Sequence, residues 1–573
     1  MNFENEYKKW LAQDNLDVSL KEQLTNMSES EKEDAFYKNL EFGTAGMRGI
    51  VGPGTNRMNI YTVRKANEGF AQFLLKNTEG AKERGVVIAF DNRHFSPEFA
   101  MESAKVLATH GIKAYVFESL RPTPELSFAV RHLNAAGGIV ITASHNPAEY
   151  NGYKIYDETG CQNHPDEAEQ VIALVDAVNN VFDIEVKSEQ ELKDAGLIEI
   201  VGKEIDDVYL ERVKELEINK DCNKKDLKIV FSPLHGTANI PVRQLLTECG
   251  YEQLHVVEEQ CIADPNFTTV KSPNPEDAAA FEMSIALGNK VDADIIIATD
   301  PDADRVGLVV KDSKGEYTLL TGNQTGAILL HYILSQKKIK GTLPAKGRVF
   351  NTIVTSDMGA AIAREYGFEV ISTLTGFKFI GEQARLMEGT EYEYVFGYEE
   401  SYGYLIGDFV RDKDSVQSVL MCAEAAAFYK SQGKTLYDVL IELYENYGFY
   451  REDLVNITLK GKEGAEKIQS ILEEFRQFTP VTIADKDVVT VEDYKESTRT
   501  DIAKDETTTI NLPKSNVLKY TLEDGSWFVL RPSGTEPKAK VYIGVKADNL
   551  EGADKHVAKI KEDVLARVNE ILA

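Results

Sequence analysis

Cysteine is scarce and unpatterned in this chain of 573 residues: there are five, an odd number, and none forms a Cys-x-x-Cys pair. That excludes a disulfide framework and a structural zinc site of ordinary spacing, and fits reduced thiols. Long apolar runs are missing too. No stretch of about 18 apolar residues is present to span a bilayer, and Met1–Glu6 is polar and acidic, without the apolar core of a signal peptide. A cytoplasmic chain with no membrane partner is expected. Positive charge is in deficit, 64 Lys and Arg against 93 Asp and Glu, for a net charge of −29. A nucleic-acid reader needs a broad basic surface, so that class is excluded. A small phosphorylated substrate needs only a local cluster of cations.

What is present is an ordinary globular composition, 43% hydrophobic and 27% charged, in a chain too long for one core. Its organisation is a pattern that recurs three times. Short apolar runs at Val86–Phe90, Ile229–Ser232 and Arg348–Val354 each lead into a helical stretch (Pro97–His110, Pro241–Cys249, Met358–Tyr366) that stops at Gly111, Gly250 or Gly367. Glycine just past a helix end takes the left-handed conformation without a Cβ penalty. Second strand-like runs follow at Ala114–Phe117, His255–Val257 and Glu369–Ile371, and third ones at Gly138–Thr142, Asp294–Thr299 and Tyr392–Phe396. Such alternation predicts βαβ units. Each third strand opens into a polar loop: Ser144-His145-Asn146-Pro147, Asp300 to Arg305, and Gly397 to Ser401. Ligands of open α/β sheets bind beyond the carboxyl ends of strands. The fold expected is therefore α/β: three related α/β domains plus a C-terminal α+β domain around a central cleft. The divisions fall at residues 1–204, 205–320, 321–449 and 450–573, the last carrying strands at Trp527–Leu530 and Val541–Val545 and a final amphipathic helix.

In an extended loop the alternate residues Asp300, Asp302 and Asp304 point to one side, an all-oxygen set suited to a hard cation such as Mg²⁺. An EF-hand would need Gly and Glu where this chain has Arg305 and Lys311, so that reading fails. Ser144 stands in no G-x-S-x-G elbow, and neighbouring side chains diverge, so His145 is poorly placed as its direct base. Alone, Ser144 would be an ordinary capping turn; at a strand end beside a metal it becomes a phosphoryl carrier. Arg531, Ser533, Gly534 and Thr535 have the makings of a phosphate loop, whose rival is a polar hairpin. The glycines of residues 43–49 are not in G-x-G-x-x-G order, and no G-x-x-x-x-G-K-[ST] occurs, which removes most of the case for nucleotide enzymes. Glu399 and Ser401 suit sugar hydroxyls. Lys413 reads as a charged helix entrance and His235 as a turn or packing histidine.

In this order, Thr142–Pro147, Asp300–Arg305, Gly397–Ser401 and Arg531–Pro537 resemble the α-D-phosphohexomutase family over nearly the whole chain. The Gly-Tyr-Glu-Glu-Ser-Tyr-Gly loop and Thr375-Gly376-Phe377-Lys378 are similar to its phosphoglucomutase and phosphopentomutase branch. The resemblance implies interconversion of glucose 1-phosphate and glucose 6-phosphate through phosphorylated Ser144, one Mg²⁺ on Asp300, Asp302, Asp304 and the phosphoserine, and glucose 1,6-bisphosphate as intermediate and activator. It implies that Arg48, His145, Lys154 and Lys413 line the reaction centre, with Lys413 in proton transfer. Arg305 would touch the phosphoryl group, Gly376, Lys378, Glu399 and Ser401 the sugar, and Arg531, Ser533, Gly534 and Thr535 the other phosphate. Pentose or mannose phosphates are the alternative substrates. From other classes, a Mg²⁺-dependent sugar phosphatase and a non-catalytic binding paralogue stay open.

Overall fold

The computed structural model describes residues 2–43, 46–459, 461–532 and 538–572. Three of its four sheets share one plan, in which a first strand lies between a second and a third, parallel to both. Val86–Phe90 lies between Ala114–Phe117 and Gly137–Ile141. Lys228–Ser232 lies between Gln253–Val256 and Ile295–Thr299, and Gly347–Thr352 between Glu369–Thr373 and Glu393–Glu399. Central runs such as Val86–Phe90 are buried at every position, because helices cover both faces of a parallel sheet. The intervening helices, Ser96–Thr109, Asn239–Glu248 and Met358–Glu365, lie where the repeat puts them. Gly111, Gly250 and Gly367 end them at φ of 78°, 93° and 76°.

What the repeat did not reveal is the strand after each loop. Tyr150–Tyr156, Val306–Lys311 and Gly403–Leu405 return antiparallel to the third strand of their sheet. Each candidate loop therefore joins two hydrogen-bonded strands and is held at both ends. Each loop also contains one non-glycine residue in the left-handed region, Ser144 at φ 50°, Ala303 at 57° and Tyr402 at 65°. Such residues are uncommon and gather where surrounding structure imposes a particular geometry.

The fourth sheet is antiparallel throughout, in the order Phe449–Thr458, Lys538–Ala547, Trp527–Pro532, Leu518–Leu522, Lys486–Asp493 and two further short strands. Helix Leu550–Leu572 covers one face with Val557, Ile560, Val564 and Val568, the stripe its spacing predicts. Several helices lie outside the repeat. Helices Phe3–Leu11, Val18–Asn26 and Glu29–Phe36 form an N-terminal cap, pinned by Trp10, whose ring meets Phe36, Tyr61 and Phe182 edge-on at 5.8, 5.4 and 5.2 Å. Helix Ser415–Lys430 is buried almost all round, so it has no polar stripe to betray its period. Asp414 caps it, accepting from the N–H groups of Val416 and Gln417 at 2.9 and 3.0 Å. Among the described residues no helix is long and apolar enough to cross a membrane.

Candidate active site

The first two loops meet directly. Ser144 is 4% exposed, and its hydroxyl donates to Asp300 Oδ2 at 2.7 Å. His145 Nδ1 lies 3.1 Å from the Ser144 hydroxyl oxygen. The expectation that these neighbours diverge is thus wrong: the left-handed turn at Ser144 swings both side chains to one side. Since the hydroxyl has one hydrogen, Nδ1 is the donor whenever that hydrogen goes to Asp300. Burial, then Arg305 and Arg48, pushes the His145 pKa down to about 2, so the ring is neutral.

Asp300, Asp302 and Asp304 are all buried, with carboxylate oxygens within 4.8 Å of one another. Asp300 Oδ1 accepts the backbone N–H groups of Asp304 and Arg305 at 3.0 and 2.9 Å, which curls the loop around it. Thr123, at the start of helix Thr123–His132, braces Asp302 through N–H to carbonyl (2.9 Å) and hydroxyl to Oδ2 (3.1 Å). Burial and the charges of Asp302 and Asp304 push the Asp300 carboxyl well above the ordinary range. Burial also acts to raise Asp302, but Lys154, a hydrogen bond with Asp300 and Lys413 outweigh it and hold that carboxylate low. Asp302 Oδ1 and Asp304 Oδ1 are buried without a hydrogen-bond partner. Two orphaned anionic oxygens in a cluster of three carboxylates fit a divalent cation.

Cations surround the cluster. Lys154, on strand Tyr150–Tyr156, is 3.3 Å from Asp302 Oδ2. Lys413 sits at a charged helix entrance, just before the Asp414 cap of Ser415–Lys430, and turns inward: its Nζ is 2.8 Å from Asp304 Oδ2 and 3.4 Å from Asp412. Burial would lower its pKa, but Asp304, Asp412 and Glu399 outweigh it and hold it well above the usual lysine value. In this state it is an ammonium. Arg48 reaches Asn146 Oδ1 at 2.7 Å, and Arg305 pairs with Glu276.

Beside this centre lies a cleft of about 620 Å³ walled by all four sheets' units. His145 comes from the first, Glu276 and Arg305 from the second, Thr375, Gly376, Glu399 and Ser401 from the third, and Arg531, Lys540 and Tyr542 from the last. Ser533, Gly534 and Thr535 lie outside the described residues. Lys378 stands apart from this group. It lines a separate cavity of about 180 Å³ with Cys161, His164 and Glu382, because helix Phe377–Leu386 turns it away from the loop that holds Gly376. Burial lowers its pKa to about 8. His235 is a packing residue, its Nδ1 2.8 Å from the Ile262 carbonyl and its Nε2 2.6 Å from the Thr269 hydroxyl.

Sequence reasoning missed Glu276 and Lys540. Lys540 lies directly across from Arg531 on the neighbouring strand. Period-two alternation from Tyr542 was the available signal, as both line the cleft. It also missed Asp91 and Arg93, which follow strand Val86–Phe90 and are almost fully buried.

Four successive segments match the α/β/α domains I, II and III and the C-terminal domain of phosphoglucomutase/phosphomannomutase, over residues 39–181, 207–315, 321–447 and 454–566. The chain belongs to this family of intramolecular phosphotransferases. It is 40% identical to a phosphoglucomutase of Staphylococcus epidermidis over 540 residues, 94% of this chain and 96% of that one. It is also 40% identical to a phosphoglucomutase of Staphylococcus aureus over 543 residues, covering 95% and 96%. Solved structures share the fold. A phosphoglucomutase/phosphomannomutase family protein from Burkholderia thailandensis superposes with a TM-score of 0.66 at 20% identity, covering 92% of this chain and 97% of that one. Parafusin, a phosphoglucomutase from Paramecium, gives 0.66 at 20% identity over 93% and 95%.

Proposed function

We propose that the chain interconverts glucose 1-phosphate and glucose 6-phosphate, with Ser144 as the phosphoryl carrier and glucose 1,6-bisphosphate as the bound intermediate. The observation that carries this reading is the 2.7 Å contact of Ser144 Oγ with Asp300, between a carboxylate cluster and a cleft lined with cations. The staphylococcal phosphoglucomutases, at 40% identity over almost the whole chain, support glucose as the sugar. Asp300, Asp302 and Asp304 would hold Mg²⁺, joined by an oxygen of phosphorylated Ser144. Bound there, the ion would neutralise charge on the phosphoryl oxygens and align donor with acceptor. The four units divide at residues 204, 320 and 449.

In the forward half-reaction the bond from phosphorus to Ser144 Oγ breaks as one forms to a sugar hydroxyl oxygen, and the hydroxyl proton ends on Oγ. Arg305 and Lys154 face the charge that spreads over the transferring group. Lys413, held as an ammonium, gives its proton to Oγ as that oxygen leaves and regains one from the attacking sugar hydroxyl, so the net transfer is from hydroxyl to Oγ; neutral His145 orients Oγ. Glu399 and Ser401 hold sugar hydroxyls beside Gly376, while Arg48 steadies the serine loop. The bisphosphate then turns over, so that its other phosphate faces Ser144. Arg531 and Lys540, with Ser533, Gly534 and Thr535, grip whichever phosphate is not reacting.

The test is turnover of glucose, mannose, glucosamine and ribose 1-phosphates with Mg²⁺ and a trace of bisphosphate. An isomeric sugar phosphate from glucose, at the highest kcat/KM, supports the reading. Release of inorganic phosphate alone would put a phosphatase in its place.

Two smaller predictions concern the cleft. Burial, then the guanidinium of Arg531, depresses Lys540 below the usual lysine value; a phosphate dianion between the two cations would relieve that cost. Lys540→Ala should raise KM about 10- to 100-fold with a smaller change in kcat, the loss of one charge-assisted contact. Steady-state kinetics showing an unchanged KM would remove Lys540 from the phosphate site. Burial, opposed by Lys413 and reinforced by Glu400, pushes Glu399 up to about 7. Its ionised form, the better acceptor for a sugar hydroxyl, is populated only above that value. The kcat/KM profile should therefore rise through about pH 7, and Glu399→Gln should flatten that limb. A limb that survives the substitution belongs to another group.

A further inference from the structure

A non-glycine residue at φ 50° is uncommon and persists only where its surroundings impose it. At Ser144 the imposing group lies beneath the loop. Arg93 is 2% exposed. Its Nη2 donates to the carbonyls of Ser144 and Asn146 at 2.6 and 2.5 Å, and its Nη1 to those of Pro147 and Tyr150 at 2.8 and 3.0 Å. One guanidinium thus gathers four carbonyls from residues 144–150 into a single plane of donors. The remaining nitrogen, Nε, faces Asp91 Oδ2 at 3.3 Å. Asp91 grips the loop from its other end: Oδ2 accepts the Thr142 hydroxyl at 2.6 Å, and that hydroxyl oxygen accepts the Ser144 N–H at 2.8 Å.

The same arginine is also held by the unit that carries the three aspartates. The ring of Phe267 lies 5.0 Å from the guanidinium carbon. Alongside, Asn92 Nδ2 donates to the Asp264 carbonyl at 3.0 Å and His94 Nε2 meets Asn266 Oδ1 at 2.8 Å. Residues 264–267 therefore grip the turn that holds the serine loop, while Asp300 of the same unit meets the serine hydroxyl.

We infer that Arg93, braced by Asp91 and Phe267, is the positioning residue that holds Ser144 Oγ in register with the Asp300–Asp304 loop. It touches no reacting atom and acts through the loop backbone. Lysine cannot replace it, because three donors on one nitrogen cannot span four carbonyls that a planar fork reaches. The inference rests on Ser144 being the phosphoryl carrier.

The effect belongs in kcat. A misplacement of about 1 Å costs about 100-fold in rate, while the groups proposed to bind the sugar and its far phosphate sit on other loops. Arg93→Lys should lower kcat about 100-fold, leave KM for glucose 1-phosphate within about threefold, and slow transfer from glucose 1,6-bisphosphate to Ser144 in a single turnover read by intact mass. Because a buried arginine can be needed for folding, Thr142→Val provides the second probe. It keeps the shape, removes both hydrogen bonds of that hydroxyl, and should lower kcat about tenfold, with Thr142→Ser restoring it. Folded variants of either kind with wild-type kcat, or with the loss confined to KM, overturn the inference. Failure of the carrier reading would show separately, as wild-type protein that never gains a phosphoryl group on Ser144.

Discussion

Ser144→Ala should lower isomerisation by about 10⁴-fold or more while the protein stays folded, the scale seen when an enzyme loses its covalent nucleophile. The size follows from what is left. Without Oγ, the arginines and lysines of the cleft still bind a sugar phosphate, but nothing accepts a phosphoryl group between the two orientations of the sugar. KM, where residual turnover allows it to be measured, should stay near wild type. Stability should change little. Alanine tolerates φ 50° no worse than serine does, and the lost hydrogen bond to Asp300 is worth about 1–2 kcal/mol. Two readouts separate this outcome from misfolding: an unchanged circular-dichroism melt, and the absence of the phosphoryl mass increment that bisphosphate leaves on the wild type. Near-normal turnover in the variant would end the phosphoserine assignment.

Why Ser144 and the aspartates were readable, and Arg93 was not, comes down to range. A buried apolar strand running straight into a polar loop is a local pattern, and it recurs three times at Gly137–Ile141, Ile295–Thr299 and Glu393–Glu399. The rule that singled out those loops, polar residues beyond the carboxyl end of a parallel strand, applies equally to Asp91-Asn92-Arg93 after Val86–Phe90. An Asp-Asn-Arg turn nevertheless looks like a solvated one until the chain 50 residues later is laid across it. The orientation of His145 depended on one backbone angle. The pairing of Lys413 with Asp304 depended on how the third unit docks on the second; Glu276 meets Arg305 only through the folding of the second unit, and Lys540 reaches the cleft only through the docking of the last. Gly403–Leu405, three residues long, carries too little pattern to announce a strand. Lys378 shows the opposite case: as a motif neighbour of Gly376 it is expected in the cleft, and the helix that starts at Phe377 carries it to another cavity.

Asp302→Asn tests the other half of the centre. Asp302 Oδ1 has no hydrogen-bond partner, whereas Oδ2 is engaged by Thr123 and Lys154. An amide at this position keeps a neutral oxygen but brings an N–H₂ group into a pocket shaped for anionic acceptors and removes one of three negative charges. Lys154, 3.3 Å away, then loses the charge it faces in a buried place, so the local balance shifts toward positive. Cation affinity should fall most, since a hard divalent ion is held by charge as much as by ligand number. The Mg²⁺ concentration for half-maximal activity should rise by about tenfold or more, and kcat at saturating Mg²⁺ should drop by about 10²–10³-fold. Titration of the metal-free protein with Mn²⁺, followed by the enhancement of water proton relaxation, reads affinity without turnover and separates weak binding from slow chemistry. The Lys154→Met, Asp302→Asn double variant sharpens the comparison. If charge imbalance alone were responsible, removing the lysine would restore Mn²⁺ affinity. If Asp302 is a ligand, the double variant should bind the ion no better than Asp302→Asn. An unchanged metal dependence in Asp302→Asn would remove this loop from the metal site, and with it the account of how Ser144 is aligned.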